Sequence, residues 1–118
     1  MLKRIFFNAV TLSAAYVALL GMVSSHAWAD DAGKQAYDDR CASCHGASGK
    51  GDGAAAAAFT PKIEAFSKSL TGKSDDWIAK VTKEGGPAVG LPATMPPASD
   101  LSDAQLKSVV AYVKQLAK

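Results

Sequence analysis

The chain has 118 residues, 48% of them hydrophobic and 20% charged, with 13 basic against 11 acidic side chains and two cysteines. That length suits one domain. The lysines are scattered, so the basic patch that nucleic-acid binding needs is missing, and two cysteines cannot build a disulfide framework.

The first 29 residues read as an export leader. Lys3 and Arg4 precede an apolar run from Ile5 to Val23, and Ser24-Ser25-His26-Ala27-Trp28-Ala29 places small residues where a signal peptidase cuts. Cleavage is expected after Ala29, leaving residues 30–118 as the working domain. A retained membrane anchor is the alternative. Spanning takes about 20 apolar residues, and Asn8, Thr11 and Ser13 dilute this run. Removal of Lys3 and Arg4 leaves eleven basic against eleven acidic residues, and no stable membrane insertion is expected afterwards. A chain of 89 residues buries a limited core and ordinarily needs a disulfide, a metal or a bound cofactor as a staple.

The regular segments of the remaining chain read as helices, with no strand-like alternation. The first is expected over Gly33–Cys44, where Gly33, Ala36, Tyr37 and Cys41 fall on one face. Gly46–Gly53 holds four glycines and reads as a flexible loop. It lacks the G-x-x-x-x-G-K-[ST] spacing of a phosphate-binding loop. Ala54–Ala58 reads as a turn or two of helix. Pro61 is placed to open a short helix over Lys62–Ser67. Ser74 is a good N-cap, and Asp75 and Asp76 suit the positive helix end, so a helix should run from there through Trp77, Ile78 and Val81 to Gly85-Gly86-Pro87. Ala88–Pro97 carries three prolines and a glycine and should be irregular. Its Val89, Leu91 and Met95 suggest that it is pinned against something apolar.

The last helix is the best marked. Ser102 and Gln105 form a capping-box pattern, and Leu101 with Leu106 has hydrophobic-staple spacing. Its apolar face is Leu106, Val109, Val110, Val113 and Leu116, with Tyr112 at the margin. Lys114 and Lys118 suit the negative helix end. The sum is an all-α domain of about four helices.

Chemistry concentrates at Cys41-Ala42-Ser43-Cys44-His45. Cys-x-x-Cys-His is the attachment signature of c-type haem. Residues three apart share one side of a helix, so both thiols can add across the vinyl groups along one edge of a porphyrin. His45 then offers an imidazole nitrogen as proximal iron ligand. A redox dithiol would want a βαβ context, which is missing. Zinc would find only three ligands here before carboxylates are recruited. A disulfide across three residues would constrain little of the unfolded chain.

The second axial position follows by elimination. Once the leader is gone, His45 is the sole histidine and Met95 the sole methionine. Bis-histidine ligation within the chain is thereby excluded, and Met95 is the expected distal ligand, since His/Met is the cytochrome c pairing. The alternative for a lone Met is gap-filling in the core.

These residues resemble the class I cytochromes c over nearly the whole chain from Gly33 onward. In that family a glycine and an aromatic precede the first haem cysteine by eight and four residues, the places of Gly33 and Tyr37. The resemblance implies that the N- and C-terminal helices cross, with an aromatic set against that glycine; Tyr112 occupies the aromatic's place. The run from Met95 to Asp103 resembles the family's distal methionine followed by its last-helix cap. The family also has a proline carbonyl that accepts a hydrogen bond from the proximal histidine. Pro61 is the nearest candidate, with a plain helix-start proline as the alternative. Phe59, Ile63, Trp77, Val89 and Leu91 are either haem-pocket or core residues.

The expected function is single-electron transfer in a bacterial periplasm, between redox protein partners, by one covalently bound haem c. No enzymatic activity is expected, and the protein should be a monomer or part of a redox complex. Two alternatives stand beside a free carrier: a cytochrome subunit of a larger oxidoreductase, and a five-coordinate haem enzyme or gas sensor with Met95 off the iron.

Overall fold

The structure, a computed structural model, describes residues 25–118. Most of the expected leader lies outside the described residues. Among these residues five α-helices follow one another: α1 (Ser25–Arg40), α2 (Ala42–His45), α3 (Phe66–Ser69), α4 (Asp75–Glu84) and α5 (Asp103–Leu116), with short 3-10 turns at Ala56–Ala58 and Gly86–Val89. There is no strand among the described residues. No described helix is long and apolar enough to cross a membrane.

Helix α5 is the hub, packing against α1, α3 and α4. Its start follows from sequence chemistry. The Ser102 hydroxyl accepts from the Gln105 N–H at 3.2 Å, and the Gln105 side chain accepts from the Ser102 N–H at 3.0 Å, completing the capping box. Leu101 is buried and Leu106 packs against the core, as a staple would. Val109, Val110 and Val113 form the buried stripe, with Leu106, Tyr112 and Leu116 at its edges.

The predicted face of the first helix is buried too: Gly33, Ala36 and Tyr37 are inside and Cys41 is half-buried. Its span differs from expectation. The helix begins at Ser25 and breaks at Cys41, where the backbone twists before α2 resumes. Hydrogen bonds from Cys41 N–H to the Tyr37 carbonyl (2.8 Å) and from His45 N–H to the Cys41 carbonyl (2.8 Å) carry the helical pattern through that break.

The α1–α5 crossing depends on Gly33. A Cβ there would stand 2.3 Å from the Ser108 carbonyl oxygen. The close neighbour of the glycine is therefore α5 backbone and not the Tyr112 ring. Tyr112 instead meets Tyr37 edge-on, with ring centroids 5.3 Å apart.

Two other expectations change. Pro61 does not open a helix: Thr60–Pro61 is a cis peptide, residues 62–65 are not helical, and α3 starts only at Phe66. A helix-start proline supplies a preset φ, but nothing downstream of Pro61 caps a first turn, and the chain is instead held where the Phe66 N–H donates to the Gly49 carbonyl at 2.8 Å. The five alanines yield one 3-10 turn. Helix α4 begins as expected, with the Ser74 hydroxyl accepting from the Trp77 N–H. Lys114 of α5 pairs with Asp75 in the first turn of α4, joining the two helices at the surface.

Gly33→Ala tests the crossing. The added methyl must push α5 off α1, and overpacking of this kind costs about 1–3 kcal/mol. Thermal unfolding should show a Tm lowered by several degrees; an unchanged Tm would mean that the helices are not in contact there.

Candidate functional site

Helix α2 is a single turn, so its carbonyls find few partners within the helix. The loop after it supplies them. Gly46 N–H donates to the Ala42 carbonyl (2.9 Å), Ala55 to Ser43 (2.9 Å), Gly53 to Cys44 (3.2 Å) and Gly51 to His45 (2.8 Å). The glycine-rich stretch that composition marks as flexible is thus a clamp folded back over the Cys-x-x-Cys-His turn. Small residues let its backbone come this close: a Cβ on Gly53 would lie 2.3 Å from the Ser43 carbonyl oxygen.

Tyr37 fixes the clamp to the core. Its side chain is fully buried, and its hydroxyl donates to the Gly46 carbonyl at 2.6 Å. Burial pushes its pKa well above the usual phenol value, so the hydroxyl keeps its proton. Its ring also meets Phe66 edge-on at 6.1 Å. Phe66 in turn stacks on the His45 imidazole, centroids 4.8 Å apart and planes 28° from parallel. Sequence reasoning placed Phe66 on a short helix and missed this contact. The only signal for it was a lone aromatic in the segment Lys62–Ser67.

Cys41 and Cys44 are both free thiols and both half-buried. Burial raises the Cys41 thiol to about 11, partly offset by the neighbouring Arg40 charge, with Cys44 adding to the rise. Cys41 is therefore a neutral thiol at pH 7. His45 shifts the other way: burial lowers its pKa, keeping the ring neutral and its lone pair available. Its Nδ1 is buried with no hydrogen-bond partner. In particular, no carbonyl, that of Pro61 included, accepts from it. The imidazole is thus held by stacking on Phe66 and not by a hydrogen bond at Nδ1.

The two cysteines are not joined in a disulfide, and no group of three or more His, Cys, Asp or Glu side chains is arranged to hold a metal ion among the described residues. A chelate of zinc by protein side chains alone is therefore not assembled. Two thiols along one turn with a neutral imidazole beside them fit a porphyrin that brings its own iron.

Met95 sits apart in sequence and is carried by the irregular segment after α4. It is half-buried, and its carbonyl accepts from the Gly86 N–H at 3.0 Å. Phe59, Ile63 and Val89 are likewise half-buried, and Leu91 is 44% exposed. None of these joins the packed core, whereas Trp77 does. The structure thus separates the pocket candidates: Trp77 belongs to the helical core, and the other four are apolar side chains left without full cover.

Comparison with known proteins agrees with this arrangement. The family model for cytochrome c matches residues 31–117. Cytochrome c-555 of Chlorobaculum tepidum is 39% identical over 109 residues, covering 86% of this chain and 92% of the relative. The helical architecture, the two free thiols on one turn and the match along nearly the whole described chain lead to one assignment: the chain belongs to the cytochrome c family, as a class I electron carrier with a single covalently bound haem c.

Proposed function

We propose that residues 1–29 are removed on export and that residues 30–118 work in the periplasm, with haem bound through Cys41 and Cys44 and its iron ligated by His45 and Met95. The observation that supports the site assignment is the gathering of two free thiols and a neutral imidazole at one helical turn.

When bound, the haem supplies an iron that gains or loses one electron. The remaining work is done by the chain. Cys41 and Cys44 tie one porphyrin edge to the α1–α2 junction. His45, kept neutral by burial, presents its lone pair, and Phe66 lies over the ring and keeps water from that side. The clamp of residues 46–55 holds the backbone beneath the ligand. Met95 supplies a soft thioether, which favours the reduced state and gives a positive midpoint potential. If His45 and Met95 both held the iron, no position would be left on it for substrate, which would suit an electron carrier over an oxygen-activating enzyme or a gas sensor. Docking with redox partners is expected to be brief, through an interface at the small end of the size range.

Three outcomes test this reading. The N-terminus of the exported protein, read by mass spectrometry, should be Asp30; an intact leader on the mature protein would restore the membrane-anchor reading. Acid–acetone extraction should leave the colour on the polypeptide, and the Cys41→Ser/Cys44→Ser double variant should lose it to the solvent. Met95→Ala should abolish the far-red sulfur–iron charge-transfer band, lower the midpoint potential and open the ferrous form to carbon monoxide. Rapid carbon monoxide binding by the unsubstituted protein at neutral pH would show instead that Met95 is off the iron.

A further inference from the structure

The segment that carries Met95 is short of side-chain packing. Of its residues from Gly90 to Pro97, only Met95 is even half-buried. Its backbone, however, is tied down at both ends to one place. The Gly86 N–H donates to the Met95 carbonyl at 3.0 Å, and the Gly86 carbonyl accepts from the Leu91 N–H at 2.9 Å. Gly86 is itself buried, and a Cβ on it would stand 2.2 Å from the Pro92 carbonyl oxygen and 3.3 Å from the Leu91 Cβ. The chain beyond Met95 is fixed as well: the Ala98 N–H donates to the carbonyl of buried Thr82 at 2.9 Å, one turn back in α4. A tenth of the chain is thus folded into a strap whose two arms close on a single residue without a side chain.

We propose that Gly86 is the positioning residue for iron ligation by Met95: it seats the strap through backbone hydrogen bonds, so the thioether is presented by the polypeptide and not merely captured by the iron. The inference rests on the reading of Met95 as distal ligand. Two physical consequences follow. The seat has no room for a Cβ, because the obstructing atom is a backbone carbonyl that cannot rotate away. The strap should also keep its conformation when the sulfur–iron bond is lost, because the Gly86 and Ala98 amides are bonded to carbonyls and not to the ligand.

The test compares Gly86→Ala with Gly72→Asn. Gly72 has open space around it and a positive φ that asparagine tolerates. Gly86→Ala should keep covalent haem and helical circular dichroism while weakening the sulfur–iron band. It should also bind added imidazole in the ferric form at least about tenfold more tightly, because losing one backbone hydrogen bond raises the population of the detached strap by that order. Gly72→Asn should change neither. A second measurement does not require that variant to fold. In haem-loaded Met95→Ala, hydrogen exchange at the Gly86 and Ala98 amides should remain as slow as in the parent. If those amides lose protection, the iron holds the strap and the proposal is overturned. An undiminished sulfur–iron band in Gly86→Ala overturns it alone, leaving the ligand reading intact. A parent protein with no such band overturns the ligand reading and this inference together.

Discussion

The Tyr37 side chain joins the helical core to the site, and both depend on it. Its ring fills the crossing between α1 and α5, against Tyr112 on one side and Phe66 on the other, while its hydroxyl reaches out to the Gly46 carbonyl just past His45. A buried hydroxyl is costly unless it is bonded. Here it has one acceptor, and that acceptor begins the clamp over the Cys-x-x-Cys-His turn. The order of dependence runs from helix crossing to ring, from ring to hydroxyl, and from hydroxyl to the backbone that follows His45. Gly33 belongs to the same chain of causes, because only its missing side chain lets α5 come near enough to pack against Tyr37.

The apolar residues divide into two groups with different roles. One group is the packed core: Ala36, Tyr37, Phe66, Ile78, Leu101, Val109, Val110 and Val113, contributed mainly by helices. The other lies on irregular segments and stays partly uncovered: Phe59, Ile63, Val89, Leu91 and Met95. A chain this small has little surface to bury, and leaving five large apolar side chains outside the core would be wasteful unless something else covered them. A flat, mostly apolar porphyrin is of the right character to do so. Phe66 stands at the boundary, buried with the core and stacked on His45.

How much of this was legible in the sequence follows from where each feature's cause lies. Helices α4 and α5 could be placed nearly to the residue, because Ser74, Ser102 and Gln105 cap them through contacts three residues away. The spacing of Cys41, Cys44 and His45 marked where chemistry concentrates, but the helix break at Cys41 that sets them on a turn of their own left no local signal. The Gly46–Gly53 clamp was not. Its glycines look like freedom in composition, yet their role is to approach carbonyls of α2, a relation that no local pattern carries. The same is true of Gly33 under Ser108 and of Phe66 on His45. Pro61 misled for the reverse reason: its local preference for a first helical turn was overridden by tertiary hydrogen bonding that delays α3 to Phe66.

An electron carrier works best when its metal surroundings change little between oxidation states, since any rearrangement adds to the barrier. In a small domain one would look to packing for that rigidity, but the loop after α2 and the segment that carries Met95 are irregular and largely exposed. Their order comes instead from satisfied backbone groups. The carbonyls of Ala42, Ser43, Cys44 and His45 are each met by an N–H of the following loop, and Gly86 and Thr82 hold the strap around Met95. Backbone hydrogen bonds are short-range and directional, so a few of them can fix a main chain where side chains offer little contact. The glycines at these seats are therefore a structural requirement of stiffness, although the same residues in a chain without such partners would make it flexible.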